Sequence, residues 1–315
     1  MDNTGGRCSH YCVNNSKLSK LIKRRLIMII GIITFLLSSS VLASQFVELE
    51  VKGEVLGRDD ISAISCINKS RCLIASDETN ELQLVEIKGR TLKVFSKSIK
   101  LGNFKKENDI EALTNDGKFF YAVGSHGLSR KNAKYQKSRY HIFKIEIDQN
   151  GKVISILRSN LESILKKTKK IAPYFKKSLK KNGINIEGLA FFDERLYVGF
   201  RSPIIDGKAQ ILSFNSKEFW KKGFSETKLI GVDLKDDRGI RSLEIKNNNA
   251  YIIAGNNDNQ RNETSELVIS NLNFEKLSFN PVPYDDFKLE GFDFNQDFTI
   301  YVYDSLKDGF PILDK

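Results

Sequence analysis

The sequence predicts an all-β fold, a β-propeller of five blades. A five-residue motif recurs as DISAI, DIEAL, NIEGL, GIRSL and KLEGF, beginning at Asp60, Asp109, Asn185, Gly239 and Lys288. Each copy opens an apolar run, which is followed by a turn of Asn, Asp or Gly type and then by a second run rich in Val, Ile, Tyr and Phe. Such runs bounded by turn residues are typical of strands. Four short strands at a regular interval of this length are the repeat of a propeller blade.

The ends of the repeat predict how the ring closes. The last unit ends early, in GFPILDK, while a spare strand-like segment, QFVELEVKG, precedes the first motif. We expect this N-terminal strand to complete the last blade, because closure leaves no sheet edge open.

One interval is longer than the others. The motif copies are separated by 49, 76, 54 and 49 residues, and the long interval contains a lysine-rich stretch. We interpret residues 159–183 as a short helical insertion. A sixth blade in this interval is an alternative, and a β-sandwich is an alternative for the whole fold.

The first 43 residues differ in character from the rest. Basic residues precede an apolar run from Leu26 to Leu37, and Val41-Leu42-Ala43 precedes Ser44. This is the pattern of a secretory signal peptide with its processing site. We therefore expect an N-terminal extension and signal at residues 1–43, a single propeller domain at 44–315, and export to the periplasm or the medium. An uncleaved segment anchoring the protein to the inner membrane is the alternative.

Charge argues against nucleic acid as a partner. Loss of the signal would lower the net charge from +11 to +6, and eight of the remaining lysines lie between Lys166 and Lys181. Nucleic-acid binding favours arginine and stacking aromatic residues as well as charge. We interpret this stretch as a solvated face, with weak contact to an anionic surface as the alternative. We expect a monomer.

Two cysteines remain after the predicted cleavage. Cys66 and Cys72 flank the polar turn INKSR between two strand-like runs. In an oxidising compartment such a pair predicts a structural disulfide.

The repeat also predicts where polar side chains meet. In a blade, the first strand starts beside the end of the second, so both positions lie at one mouth of the central channel. The third motif residues and their partners are Ser62 with Asp77, Glu111 with His126, Glu187 with Arg201 and Ser202, Arg241 with Asn256 and Asn257, and Glu290 with Asp304.

These residues suggest three kinds of site. Crowded carboxylates at Glu111, Glu187, Glu290 and Asp304 would suit a metal ion, Ca²⁺ above all. Arg201 and Arg241 would suit a carboxylate or phosphate group on a small anionic ligand, with Ser202, Asn256 and Asn257 beside them. His126 next to Glu111 is a candidate catalytic base. A network in which the charges only satisfy one another is the alternative to all three.

Four further stretches are distinctive: GSHGLSRK from Gly124, IAPYFKK from Ile171, NIEGLAFFDERLYVGFRSP from Asn185 and RGIRSLEI from Arg238. Together they resemble a bacterial family, the "domain of unknown function 3616" proteins. The resemblance implies a propeller and no particular activity. The EGL motif is also similar to that of phytase-like esterase propellers, which would imply phosphoester hydrolysis with bound calcium. Ser62 and Arg241 depart from the glutamate of that motif.

Our leading expectation is an exported propeller that binds a small anionic or metal-bridged ligand at the channel mouth. A calcium-dependent hydrolase acting on phosphoesters or lactones, and a protein-interaction scaffold, are the alternatives. The sequence contains no serine nucleophile elbow, phosphate loop, zinc signature or dinucleotide-binding fingerprint.

Overall fold

The computed structural model describes residues 46–258, 264–283, 288–294, 298–304 and 311–314, the last of these as backbone only. The extension and signal peptide predicted at residues 1–43 lie outside these ranges. Within them, no helix has the length and apolar character needed to cross a bilayer.

The described part of the chain is built almost entirely from strands. In chain order they are β1 (Phe46–Glu48), β2 (Glu50–Lys52), β3 (Ile61–Cys66), β4 (Arg71–Ser76), β5 (Glu81–Lys88), β6 (Thr91–Lys100), β7 (Ile110–Asn115), β8 (Phe119–Gly124), β9 (Ile142–Ile147), β10 (Val153–Ser159), β11 (Asn185–Phe192), β12 (Arg195–Ser202), β13 (Ala209–Asn215), β14 (Thr227–Val232), β15 (Gly239–Lys246), β16 (Asn249–Gly255), β17 (Glu266–Asn271), β18 (Leu277–Pro281), β19 (Lys288–Phe294), β20 (Phe298–Asp304) and β21 (Pro311–Asp314). Two short α-helices, α1 (Glu162–Lys167) and α2 (Ser216–Lys222), interrupt them.

The strands form five sheets arranged as a β-propeller. From the inner strand outward they are sheet 1 (β3-β4-β5-β6-β2), sheet 2 (β7-β8-β9-β10), sheet 3 (β11-β12-β13-β14), sheet 4 (β15-β16-β17-β18) and sheet 5 (β19-β20-β21-β1). Each inner strand is one motif copy, and it contacts the inner strands of both neighbouring sheets. The inner strands therefore surround a common axis, which a two-layer β-sandwich does not have.

The N-terminal strand closes the ring, as predicted. β1 pairs antiparallel with β21 and becomes the outer strand of sheet 5. The pairing of β2 was not predicted from the sequence. β2 pairs parallel with β6 and adds a fifth strand to sheet 1. The segment QFVELEVKG thus ties the last sheet to the first.

The hydrophobic core consists of layers between neighbouring sheets rather than one central mass. Five clusters fill the contacts between sheets 1 and 2, 2 and 3, 3 and 4, 4 and 5, and 5 and 1. In the last of them, Ile300 and Val302 of sheet 5 pack with Ile61 and Ile74 of sheet 1. Burial of these side chains on both faces of every sheet holds the ring together.

The long interval between sheets 2 and 3 contains helical segments. α1 is followed by 3₁₀ turns at Ala172–Tyr174 and Leu179–Lys181, and the described residues of this interval form no additional sheet. Leu161, Ile164, Leu165 and Ile171 are buried in the cluster between sheets 2 and 3, which fixes the insertion on the ring.

The predicted disulfide is present. Cys66 and Cys72 are directly opposite each other on β3 and β4, with an S–S distance of 2.00 Å.

Candidate functional site at the channel mouth

The beginning of each inner strand lies beside the end of the following strand, as the motif spacing predicts. The paired residues are Ile61 with Ser76, Ile110 with Gly124, Asn185 with Ser202, Gly239 with Gly255, and Lys288 with Asp304. All five pairs open on the same end of the channel, which we call the mouth.

Every inner strand carries a β-bulge at the third motif residue. The pairing register skips Ser62, Glu111, Glu187, Arg241 and Glu290. A bulge leaves one residue out of the ladder and redirects its side chain. Five bulges at one position therefore turn five polar side chains away from the regular alternation of their strands.

Arg201 and Arg241 hold the carboxylate of Glu187 between them. Arg201 Nη1 lies 3.0 Å from Glu187 Oε1, and Arg241 Nη1 lies 2.9 Å from Glu187 Oε2. Asn185 Nδ2 donates a further hydrogen bond to Oε1 at 2.9 Å. Burial alone would raise the pKa of Glu187, but the two guanidinium groups hold it below its usual value.

The ion pairs continue into sheet 5. Arg241 also pairs with Glu290, Glu290 pairs with Lys288, and Lys288 Nζ lies 2.8 Å from Asp304 Oδ2. The six side chains alternate in sign along the chain of contacts, beginning at Arg201 and ending at Asp304. We call them the ionic chain, and its formal charges cancel.

The ionic chain includes residues of two predicted sites. Glu187, Glu290 and Asp304, predicted as metal ligands, each pair with a cationic side chain of the protein. Arg201 and Arg241, predicted to bind an anion, pair with Glu187 and Glu290. The metal and anion sites at these residues stay predictions.

Two of the neutral residues predicted beside the arginines, Asn256 and Ser202, form hydrogen bonds with other groups of the protein. The main-chain oxygen of Asn256 accepts a hydrogen bond from Arg201 Nε at 3.0 Å. Ser202 Oγ donates to Asn182 Oδ1 at 3.1 Å. Asn257 is half-buried just beyond the end of β16.

Both ring nitrogens of His126 contact main-chain groups of the protein. Its side chain is fully buried, Nδ1 lies 2.8 Å from the main-chain oxygen of Gly124, and Nε2 accepts a hydrogen bond from Leu161 N at 3.2 Å. Burial lowers the pKa of His126 to about 4. The neutral ring, with its proton on Nδ1, thus connects the start of the insertion to sheet 2, and its catalytic role stays a prediction.

A second group of carboxylates at the mouth is not neutralised in this way. Asp77 follows β4, Asp109 precedes β7, and Glu111 is the bulge residue of β7, so the group joins sheets 1 and 2. Each side chain places an oxygen within 4.8 Å of the other two. We call these three residues the acidic cluster.

Glu111 is the least compensated member of the acidic cluster. Its side chain is only 6% exposed, yet no described residue donates a hydrogen bond to it or pairs with it. Asp109, by contrast, pairs with Arg139 Nη1 at 3.0 Å, and Asp77 Oδ1 is buried without a partner among the described residues. An unpaired buried carboxylate is costly in its charged form.

The pKa values of all three carboxyl groups of the acidic cluster are raised, because their charged forms are unfavourable here. Burial, with the nearby charges of Glu187 and Asp109, raises the pKa of Glu111 well above its usual value. Burial and Asp109 raise the pKa of Asp77 to about 7. Burial also raises the pKa of Asp109, although Arg139 opposes the change. At neutral pH the cluster therefore favours either bound protons or a bound cation.

Arg130 lies near the acidic cluster, on the loop between β8 and β9. The residue is exposed, and no described acidic group comes within ion-pairing distance of it. Its guanidinium group nevertheless interacts electrostatically with the cluster. Desolvation would lower the pKa of Arg130, but nearby carboxylates raise it above its usual value: those of Glu111, Glu187, Asp109 and Asp77.

A small cavity lies beside Glu111. It has a volume of about 10 Å³, and its other walls come from the inner strands and include Ser62, Leu113 and Phe292. This volume holds about one water molecule. A ligand larger than water therefore does not fit in this cavity.

The family described as "Protein of unknown function (DUF3616)" matches residues 60–157 and 149–261, which is more than half of the chain. The chain belongs to the DUF3616 family. The matched segments of this DUF3616 protein include the acidic cluster, Arg130 and the first half of the ionic chain.

Solved structures similar to the DUF3616 protein are remote. A virginiamycin B lyase from Staphylococcus aureus is 9% identical with a TM-score of 0.43, covering 86% of this chain and 99% of its own. The WD40 β-propeller domain of Doa1 is 9% identical with a TM-score of 0.41, covering 86% and 97%. A putative 6-phosphogluconolactonase from Bacteroides uniformis is 10% identical with a TM-score of 0.40, covering 80% and 67%. Similarity at this level carries no argument about activity. No curated protein matched the sequence.

Four charged residues near the mouth were not predicted from the sequence. Asp109 and Lys288 are the first residues of their motif copies, Arg130 ends the stretch GSHGLSR, and Arg139 lies farther along the same loop. The first motif position could have been found, because the residue before an inner strand also lies at the mouth. The two arginines had no such signal, since a loop's path is not encoded in strand periodicity.

Proposed function

We propose that the protein binds a divalent cation at the acidic cluster and, through that cation, a small anionic ligand at the channel mouth. In this proposal each of the five sheets is one blade, and the mouth is the binding surface. The observation that carries the proposal is the carboxylate of Glu111, which is buried, unpaired within the described structure and grouped with Asp77 and Asp109.

The spacing of the acidic cluster suits Ca²⁺. Calcium–oxygen distances are about 2.4 Å, so two ligand oxygens on opposite sides of the ion lie about 4.8 Å apart. All three oxygens of the cluster fall within that limit of one another. Carboxylates and water are the ligands that calcium accepts, and softer metals would favour nitrogen or sulfur. Asp77, Asp109 and Glu111 would hold the ion, leaving further positions for water and for the ligand.

Charge supports an anionic ligand as the second partner. A divalent cation would offset the charges that burial makes costly at Glu111 and Asp77. Arg130 would then be the nearby cation without an acidic partner among the described residues, and guanidinium groups bind carboxylates and phosphates in a forked geometry. A carboxylate or phosphate ligand could therefore bridge the ion and Arg130.

We favour binding over hydrolysis. Metal-assisted hydrolysis requires a group that activates water beside the ion. His126 is engaged on both ring nitrogens, and the three carboxylates of the cluster are the proposed ligands. The calcium-dependent hydrolase of the sequence analysis therefore has no additional support.

Calorimetry with the chain beginning at Ser44 tests the proposal. After treatment with a chelator, titration with CaCl₂ should show one ion bound per chain and a rise in melting temperature, because a ligand that binds only the folded state stabilises it. Glu111→Gln and Asp77→Asn should abolish both effects. Glu226→Gln, which removes an exposed carboxylate elsewhere, should leave them unchanged.

A second titration tests the anion. Inorganic phosphate should raise the melting temperature further in the presence of Ca²⁺, and Arg130→Gln should remove this second rise while calcium still binds. If Ca²⁺, Mg²⁺ and Mn²⁺ all leave the melting temperature of the unaltered protein unchanged, the proposal is overturned and the cluster is a protonated network.

A further inference from the structure

The insertion between sheets 2 and 3 divides its side chains by polarity. Its apolar residues, among them Leu161, Leu165 and Ile171, are buried in the hydrophobic cluster between the two sheets. All of its lysines are exposed: Lys166, Lys167, Lys169, Lys170, Lys176, Lys177, Lys180 and Lys181. The core contacts therefore hold a dense group of positive charges on the surface of the ring.

Exposed aromatic side chains lie among these lysines. Tyr135 is 41% exposed and Phe224 is 46% exposed. Lys176 Nζ lies 4.1 Å from the centre of the Tyr135 ring, and Lys167 Nζ lies 4.8 Å from that of Phe224. The eight lysines with Tyr135 and Phe224 form what we call the basic–aromatic face.

Direct contacts connect three parts of the basic–aromatic face. Tyr135 OH donates to Glu162 Oε1 of α1 at 2.9 Å, and Ser163 Oγ of α1 donates to the main-chain oxygen of Gly223 at 3.1 Å. α1 thus links the loop that carries Tyr135 to the residues next to Phe224. Exposed Lys131, Lys134 and Lys137 extend the positive charge along the Tyr135 loop.

Most of this charge has no acidic partner within the described structure. Glu162 pairs with Lys166 at 2.8 Å, and Asp206 pairs with Lys170 at 3.8 Å. The other six lysines of the face form no ion pair with a described residue. A solvated helix face of the ordinary kind intersperses both signs, whereas this one is almost purely cationic.

We propose that the basic–aromatic face docks the protein on a bilayer that contains anionic phospholipid. Lysines near such a surface are attracted to it, and each strengthens binding severalfold. Aromatic rings with a polar neighbour lie at the level of the lipid headgroups. A purely electrostatic contact would not require exposed aromatic side chains. The face adjoins the mouth through the loop that carries both Arg130 and Tyr135, but docking does not depend on the cation site.

Vesicle sedimentation tests this proposal. All five sheets and their hydrophobic clusters lie from Phe46 onward, so the experiment uses the chain beginning at Ser44, without the apolar segment. It should bind phosphatidylcholine vesicles containing about one-third phosphatidylglycerol, and should not bind vesicles of phosphatidylcholine alone. Binding should weaken as salt is added.

Two sets of variants locate the surface. The triple change Lys169→Gln, Lys180→Gln and Lys181→Gln should weaken vesicle binding about a hundredfold. The triple change Lys93→Gln, Lys97→Gln and Lys276→Gln removes the same charge from exposed positions elsewhere and should have little effect. Both should still bind Ca²⁺, which separates this test from that of the cation site.

Phe224→Ser distinguishes a bilayer from a soluble polyanion. The change should weaken vesicle binding and leave binding to dextran sulfate unchanged. Equal binding to both kinds of vesicle, equal loss in the two triple variants, or binding to dextran sulfate without binding to anionic vesicles would each overturn the proposal.

Discussion

Arg241 and Glu187 belong to neighbouring sheets and form a buried ion pair, with Arg241 Nη1 2.9 Å from Glu187 Oε2. Because Arg241 also pairs with Glu290, one guanidinium group connects sheets 3, 4 and 5 at the mouth. The ring is thus held by charge at the place where its hydrophobic layers end.

Arg241→Ala should destabilise the protein by about 3 kcal/mol, because removing one partner leaves buried carboxylates without compensation. Urea unfolding followed by fluorescence or circular dichroism measures this change. Arg90→Ala, at an exposed arginine, is the control and should change the free energy of unfolding by less than about 0.5 kcal/mol. Equal effects of the two substitutions would contradict the structural role of the ionic chain.

Asp293→Asn should stabilise the protein above neutral pH. Burial raises the pKa of Asp293 from 3.8 to about 7 in the folded state. The folded protein therefore binds this proton more tightly than the unfolded chain, and the contribution of Asp293 to stability falls as the pH rises from about 4 to 7. Each pKa unit corresponds to about 1.4 kcal/mol, so the full effect is on the order of 4 kcal/mol.

The free energy of unfolding is measured for the Asp293→Asn variant and for the unaltered protein, at pH 4.5 and at pH 8. These two pH values lie near the lower end and above the upper end of the range in which Asp293 titrates. The difference should be small at the lower pH and large at the higher one. Asp59→Asn, at an exposed position, should show no such pH dependence. A difference that is the same at both pH values would refute the assignment.

Reduction of the disulfide should lower stability by roughly 2 kcal/mol, because Cys66 and Cys72 close a loop with a sequence separation of only 6. The double variant Cys66→Ser and Cys72→Ser should melt at the temperature of the reduced protein. It should also stop responding to dithiothreitol. If dithiothreitol lowered the melting temperature of the double variant, the reductant would be acting on a group other than this disulfide.

Removal of β1 should open the ring. A chain beginning at Leu49 lacks the outer strand of sheet 5, which leaves an edge of β21 free to pair with another molecule. We expect a lower melting temperature and more aggregation by light scattering than for the chain beginning at Ser44. Identical behaviour of the two chains would mean that the closure contributes nothing.

Strand periodicity and the repeated motif predicted the inner strands correctly because both are local properties of the chain. The spacing from Glu187 to Arg201, or from Glu290 to Asp304, placed these residues at one end of adjacent strands, and the structure confirms that pairing. The motif could not show that each third residue lies on a bulge, because a bulge is an irregularity in pairing rather than in composition.

The repeat, the strand that closes the ring, the disulfide and the positions of the charged residues along their strands could be predicted from the chain alone. These follow from alternation, turn residues and spacing along single strands. The pairing of the charges, by contrast, depends on contacts between sheets. Glu187 and Glu111 occupy equivalent motif positions, but Glu187 lies between two arginines of its own and the next sheet, and Glu111 lies beside other carboxylates. That difference arises between sheets, where electrostatic interactions depend on distance in space and not on position in the chain.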